Sequence, residues 1–405
     1  MKTRVGIGDS NHNDPFTAGR EAARLAWHQI NTGSIALCML FASSRYDNHY
    51  PSIIAGAKSL IGDVPLIGCT TAGEITPNGP HRRSVVVLLI KRSEHITVST
   101  GSSIGLDQHS RQAGHELARI SRTAYEQAEG SSARQLLLLL SDGLRGNGAD
   151  VLRGIQEILG TSFPIAGGSA GDDQSFTQTY QFHNDQIITD GAVGALFGGT
   201  LVAGIGSRHG WKPLGKPHIV TGVRANTITT IDHQPAVTMY ESYFGTDAKD
   251  LESHTVGNLT ALYPVGISIN SSSPEDYLVR SPFRILDDGA LLCNAETPAE
   301  AEIHLMMATR DTVIEAAREA AQEAREQIGG AKAFCAIILE STARQQLLGL
   351  RTADELRSIR EIVGTDVPTV GFYTYGEQSP LTHNRASGQV GFQNQSIVII
   401  LLGEP

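Results

Sequence analysis

Apolar runs of strand length recur along the 405-residue chain in three similar groups. The first run of each group covers residues 35–41, 136–140 or 334–339. A later run in each group covers residues 85–90, 193–197 or 397–402. Because these runs are continuous rather than alternating, they predict strands that are covered on both faces.

Between the strands of each group lies a segment with the periodicity of an amphipathic helix. Its apolar positions fall eight, five and one residues before Gly62, Gly160 and Gly364. A glycine directly after the last apolar position is typical of a helix C-terminal cap. Thr352 and Glu355 have the spacing of a capping box, which predicts the start of the third helix.

After each helix the chain repeats a short stretch that ends in glycine and an acidic residue. The three stretches are VPLIGCTTAGE at 64–74, FPIAGGSAGD at 163–172 and VPTVGFYTYGE at 367–377. Three copies indicate one structural unit used repeatedly: strand, helix, short strand, Gly-acid loop, strand. The strand-helix-strand crossovers predict an α/β fold whose repeated units form mixed, largely parallel sheets in two domains.

The pattern changes near residue 206, where a stretch rich in turn-forming residues begins. We therefore expect a first domain at 1–206 with two Gly-acid units. A second domain at 207–405 would contain the third unit.

Composition narrows the function classes. The formal charge of −10 and the absence of a basic run argue against a nucleic-acid partner. The apolar runs are far shorter than the ~20 residues of a membrane span. The four cysteines form no close pair, so neither a disulfide framework nor a zinc site is indicated. A cytoplasmic location is the simplest expectation.

Five stretches together resemble those of the FIST sensory proteins, which carry an N-terminal and a C-terminal FIST domain in tandem. They are IGCTTAGEI at 67–75, GGSAGDD at 167–173, GWKPLG at 210–215, YLVR at 277–280 and GFYTYGE at 371–377. The resemblance implies an intracellular signal-input protein that binds a small ligand, for which amino acids have been proposed. A subset of the family resembles haem-binding nitric oxide sensors that act on a separate histidine kinase. We therefore expect a signalling partner in trans, with a homo-oligomer as a further hypothesis.

The Gly-acid loops are the candidate ligand site, because glycine lets a ligand approach the backbone closely. Acidic side chains there could accept hydrogen bonds from a ligand ammonium group, and an arginine could hold its carboxylate. The candidate residues are Gly73, Glu74, Gly171, Asp172, Asp173, Glu377, Arg208 and Arg280. The alternative is that each acid only caps neighbouring backbone N–H groups.

Aromatic residues and one histidine complete the candidates. Tyr373 and Tyr375 could line a ligand pocket or close the core beneath the third loop. His209, beside Arg208 and Trp211, could ligate a haem iron, or could be a loop histidine bonded to backbone or solvent. Catalysis at the acidic loops is the alternative from another class. However, the sequence has no phosphate loop and no His-Glu-x-x-His, and we assign no catalytic residue.

Overall fold

The computed structural model describes residues 3–31, 33–129, 133–245, 256–269, 277–381 and 389–405. In these ranges the helices are α1 Pro15–Ile30, α2 Tyr50–Ile61, α3 Leu106–Glu129, α4 Gly148–Leu159, α5 Val237–Phe244, α6 Val256–Leu262, α7 Arg310–Gln327, α8 Thr342–Leu348 and α9 Thr352–Val363. Among the described residues, no helix is both long and apolar enough to cross a membrane.

The strands of the first half are β1 Val5–Ser10, β2 Ile35–Ser43, β3 Leu66–Thr71, β4 Glu74–Thr76, β5 Gly79–His81, β6 Val85–Lys91, β7 Ile96–Ile104, β8 Arg134–Ser141, β9 Ile165–Ser169, β10 Gln181–His183, β11 Gln186–Ile188 and β12 Gly191–Gly199. Those of the second half are β13 Val202–Arg208, β14 Lys212–Arg224, β15 Thr227–Ile231, β16 Gln234–Pro235, β17 Val265–Ser268, β18 Tyr277–Arg280, β19 Arg284–Ile285, β20 Leu291–Leu292, β21 Glu302–Met307, β22 Lys332–Ser341, β23 Thr369–Thr374, β24 Glu377–Pro380, β25 Val390–Gln393 and β26 Ile397–Glu404.

Three units share one strand order, which confirms the α/β class and the mixed sheets. The orders are β1-β6-β2-β3, β7-β12-β8-β9 and β13-β26-β22-β23. One pair in each unit is parallel, namely β2 with β3, β8 with β9 and β22 with β23. The sheets are less parallel than the crossovers suggest because the last strand of each unit lies antiparallel between its first two strands.

A separate module interrupts the third unit between β13 and α7. We call residues 212–307 the inserted module; it contains an eight-stranded antiparallel sheet in which β14 and β21 pair. The expected boundary between residues 206 and 207 falls within β13. The division into domains at 1–206 and 207–405 stays a prediction.

Short hairpins are exchanged between the three units. The hairpin β4–β5 of the first unit pairs with β23 of the third, and β24–β25 of the third pairs with β9 of the second. The hairpin β10–β11 of the second unit pairs with β3 of the first. Each unit therefore completes the sheet of another, and the three close into a ring of contacts.

The inner faces of the three sheets form one central core. Phe41 of the first unit meets Phe372 of the third at a ring-centroid distance of 4.8 Å, and Leu138 of the second joins the same cluster. On the outer faces, α1 and α2 cover the first sheet, α3 and α4 the second, and α7 and α9 the third. The expectation of strands covered on both faces is confirmed.

The helix boundaries of the three units agree with the apolar periodicity. The helices α2, α4 and α9 end at caps Gly62, Gly160 and Gly364, whose φ angles of 76°, 103° and 117° suit glycine. The predicted capping box at Thr352 and Glu355 is wrong. The N-cap of α9 is Arg351, and no side chain forms a capping hydrogen bond at this helix start. Glu355 is instead buried against Arg344.

A glycine in the second parallel strand of each unit permits close strand packing. These residues are Gly68, Gly167 and Gly371. A Cβ at any of them would overlap a carbonyl oxygen of the neighbouring strand; the oxygens belong to Leu40, Leu139 and Ile338. The repeated glycine of the sequence motif is therefore a packing requirement.

We predict that Gly371→Ala lowers the free energy of unfolding by about 1–3 kcal/mol, because the new methyl group meets rigid backbone. Urea unfolding would measure the change. Gly330→Ala is the matched control, since a Cβ there has no neighbour within 4 Å. Equal unfolding midpoints for the two variants would contradict the packing requirement.

Candidate functional site

The three Gly-acid loops meet one another at the carboxyl ends of the parallel strand pairs. Backbone hydrogen bonds join them: Gly171 N–H donates to Thr70 O at 3.0 Å, Tyr373 N–H to Gly73 O at 2.8 Å, and Ser169 N–H to Gly376 O at 2.7 Å. A Cβ on Gly73 would lie 3.1 Å from the Tyr373 ring. The predicted loops are thus brought together, but they pack directly against each other.

Glu74 and Glu377 occupy equivalent, fully buried positions. Glu74 accepts from the Thr71 hydroxyl at 2.5 Å and from the Ser84 hydroxyl at 2.6 Å. Glu377 accepts from the hydroxyls of Thr374 and, at 2.8 Å, Ser396. Burial raises the pKa of Glu74 to about 8 and that of Glu377 to about 7. Each glutamate thus connects its loop by hydrogen bonds to the residue directly before the last strand of its own unit.

Asp172 has its own set of protein donors. Its carboxylate accepts from the backbone N–H groups of Phe176, Thr177 and Gln178 at 2.9, 2.7 and 3.0 Å. The Tyr375 hydroxyl of the third unit also donates to it. This pattern matches the alternative reading, in which an acid after glycine caps nearby backbone.

The predicted aromatic residues lie in the protein interior. Tyr373 and Tyr375 are both buried, and Phe372 belongs to the central core. The Tyr375 ring stacks on Phe176 at a centroid distance of 4.6 Å. In this arrangement they close the space beneath the third loop.

Arg280 lies apart from the Gly-acid loops on β18. Its buried guanidinium donates to the carbonyl oxygens of Glu296, Val279 and Phe392 at 2.9, 3.2 and 2.8 Å. Burial lowers the pKa of Arg280 to about 10. The side chain thus fastens the inserted module to β25 of the third unit.

A cavity of about 420 Å³ lies where the inserted module meets α7. It contains two of the predicted residues, Arg208 and His209. We call it the junction cavity; its lining comprises Ser207, Arg208, His209, Gly210, Trp211, Lys212, Ile269, Tyr277, Leu278, Asp311, Thr312, Glu315, Ala316, Glu319, Leu381 and Gln393.

His209, which lines this cavity, has one ring nitrogen without a protein partner among the described residues. Its Nδ1 accepts the Trp211 backbone N–H at 3.0 Å, so a neutral ring carries its proton on Nε2. Burial, together with the charges of Arg344 and Arg208, lowers the pKa of His209 to about 4 and keeps the ring neutral. Nε2 is buried and has no hydrogen-bond partner among the described residues.

This arrangement does not fit a haem iron ligand. An iron-bound histidine uses the lone pair of one ring nitrogen and donates its other N–H to a protein acceptor. Here Nδ1 accepts instead of donating, and Nε2 carries the proton. Within the part of the chain that the structure describes, no group of three or more His, Cys, Asp or Glu residues could hold a metal ion.

Arg208 is balanced by acids on α7. Its guanidinium lies 3.3 Å from a Glu319 oxygen and forms a close ion pair with Glu323. Its charge is therefore shared with protein carboxylates, and it contributes less than a free arginine to anion binding.

Sequence reasoning missed a buried cluster of charged residues that contacts the cavity residue His209. Arg344 on α8 donates to the carbonyl oxygens of His209 at 2.6 Å and Val313 at 2.8 Å. It also pairs with Glu355 and lies 3.4 Å from Glu340. Burial and the neighbouring Glu355 raise the pKa of Glu340 well above its ordinary value. The available signal was Glu340 itself, an acid at the end of an apolar strand run.

Comparison with known protein families finds the same family that the sequence motifs resemble. Residues 36–234 match the FIST N domain, and residues 236–380 match the FIST C domain. The chain belongs to the FIST family. FIST domains are associated with the sensing of small ligands in signal transduction.

Relatives of this FIST protein cover almost the whole chain. An uncharacterized protein of Mycobacterium tuberculosis (strain ATCC 25618 / H37Rv) is 24% identical over 404 residues, which are 95% of this chain and 97% of the relative. An uncharacterized protein of Mycobacterium bovis (strain ATCC BAA-935 / AF2122/97) is 22% identical over 410 residues, or 95% and 96% of the two chains.

Two solved structures are weakly similar. A cyanuric acid hydrolase from A. caulinodans has a TM-score of 0.38 at 8% identity, covering 100% of this chain and 99% of that chain. A chorismatase has a TM-score of 0.39 at 6% identity, with 100% and 98% covered. At TM-scores of this size, neither structure bears on the chemistry of the FIST protein.

The raised pKa of Glu74 predicts a pH-dependent stability. The folded state keeps a proton that the unfolded state loses, so the stability contributed by Glu74 is present below pH about 4.5 and is lost as the pH rises towards about 8. Glu74→Gln should remove part of this loss, as measured by urea unfolding across that window. The control is the exposed Glu126→Gln; if Glu74→Gln keeps the wild-type pH profile, the buried acid is not its source.

Proposed function

We propose that this FIST protein is a cytoplasmic sensor that binds a small ligand in the junction cavity and reports binding to a separate partner. One observation carries the proposal: the His209 Nε2–H is a buried donor without a protein partner, on a residue that lines the cavity. Leaving such a donor unpaired costs about 1–3 kcal/mol. A ligand acceptor at this position would recover that free energy.

The cavity lining favours a small zwitterion with an apolar side chain. Ile269 and Leu278 provide apolar surface, while Lys212 and Glu315 provide opposite charges. A ligand carboxylate could accept from the His209 Nε2–H and from Lys212, and a ligand ammonium group could donate to Glu315. An α-amino acid with an apolar side chain combines these features.

Arg344 supports a route by which binding could be reported. It holds the His209 carbonyl and the Val313 carbonyl together, and so joins the cavity wall to both α7 and α8. A ligand shifts a conformational equilibrium only as far as it binds one state better than the other. A ligand that moves His209 would favour a different position of α8. A histidine kinase is the partner class that the family resemblance implies.

We predict that one or more apolar amino acids raise the melting temperature of the protein. At a ligand concentration of 100 times Kd, the added stability is about 2.7 kcal/mol. Differential scanning fluorimetry with each amino acid would measure the shift. It should be lost in His209→Leu and reduced in Lys212→Ala.

Lys216→Ala is the matched control, because Lys216 is exposed and lies outside the cavity lining. Should no amino acid change the melting temperature, the zwitterion site is wrong. A shift of equal size in wild type, His209→Leu and Lys212→Ala would place the ligand elsewhere.

The ring geometry of His209 also gives an expectation for haem. We predict that protein incubated with haem shows no Soret band after gel filtration, because Nε2, the ring nitrogen without a protein partner, carries the proton. A Soret band that persists in wild type and disappears in His209→Ala would contradict this and support a haem-based nitric oxide sensor.

A further inference from the structure

A second cavity, of about 380 Å³, opens beside the first Gly-acid loop. We call it the arginine pocket; its lining consists of Ser44, Arg45, Ala72, Arg82, Arg83, Asp173 and Gln174. We propose that the arginine pocket binds a small anion through a carboxylate or phosphoryl group. The inference goes beyond the proposed function, because it concerns another cavity and another ligand chemistry.

The charge of the pocket carries the argument. Three guanidinium groups and one carboxylate leave a net charge of two positive units, in a chain whose formal charge is −10. The side chains of Arg82 and Arg83 are exposed and have no hydrogen bond or ion pair among the described residues. Guanidinium groups bind carboxylate and phosphoryl oxygens through paired, charge-assisted hydrogen bonds. An anion between them would also relieve the repulsion of like charges.

The remaining polar groups are held in place by protein contacts. The Arg45 guanidinium donates to the Arg83 carbonyl at 3.0 Å and to the Asn11 carbonyl at 3.4 Å. One oxygen of Asp173 accepts from the Ser44 N–H at 2.9 Å and from the Ser43 hydroxyl at 2.7 Å. These contacts engage Arg45 and one oxygen of Asp173, and leave Arg82 and Arg83 as the cations without a protein partner in the described pocket.

The position of the pocket agrees with a ligand site. Ser44 directly follows β2, and Ala72 directly follows β3, so the pocket lies at the carboxyl end of a parallel strand pair. Ligands of open α/β sheets bind at such ends.

Gln174 connects the arginine pocket to α8. Its Nε2 donates to the Thr342 hydroxyl at 3.0 Å, and its Oε1 accepts from Gln346 at 2.8 Å. The same short helix carries Arg344. An anion in the arginine pocket would therefore act on the helix that also contacts the wall of the junction cavity.

Isothermal titration calorimetry at constant ionic strength would test the proposal, with inorganic phosphate and malonate as separate probes. We expect wild type to bind at least one of them. Arg82→Gln combined with Arg83→Gln should weaken binding at least about tenfold, and Arg82→Gln alone should weaken it measurably. Arg24→Gln, at an exposed residue of α1, should bind like wild type.

The pattern across probes identifies the ligand source. Phosphate binding alone indicates a phosphoryl ligand, and malonate binding alone indicates a carboxylate. The proposal is overturned if neither probe binds wild type, or if Arg82→Gln and the double variant both bind unchanged. Lys212→Ala should retain anion binding, which separates this site from the junction cavity.

Discussion

The buried guanidinium of Arg344 is the contact on which the arrangement of the site depends. Its side chain has no exposed surface, and a lone charge in that position would cost several kcal/mol. Glu355 pairs with this guanidinium, and burial together with the neighbouring Glu355 raises the pKa of Glu340 well above its ordinary value. The charge of Arg344 is therefore paired within the interior. Its remaining donors hold the carbonyls of His209 and Val313, and so fix the wall of the junction cavity.

The exchange of hairpins explains why the Gly-acid loops pack directly against one another. Each hairpin adds to the sheet of another unit, which draws each loop onto its neighbour's backbone. Gly73 and Gly171 are needed because a side chain there would meet Tyr373 or Ala72. The buried Glu74 and Glu377 hold their loops in place by hydrogen bonds to Ser84 and Ser396. The two cavities that we propose as ligand sites are instead bordered by Asp173 and by the junction residues.

Much of the fold could be predicted because it is local. Apolar periodicity and terminal glycine caps specify α2, α4 and α9, and continuous apolar runs specify the central strands. The hairpin exchange could not be predicted, since three-residue strands such as β4 and β10 carry little pattern and pair with distant segments. The contacts of the acids could not be predicted for the same reason, since the Tyr375 hydroxyl that binds Asp172 lies 203 positions away. Glu355 had the spacing of a cap and became an ion-pair partner.

The proposed ligand site depends on a neutral His209 ring that lines the junction cavity and carries its proton on the unpaired Nε2. The ¹⁵N NMR spectrum of histidine-labelled protein tests it most directly, with His209→Gln identifying the signals. We expect the Nε2-protonated tautomer at neutral pH, unchanged until the pH approaches about 4. A proton on Nδ1, or a ring that titrates near the ordinary histidine pKa, would contradict it.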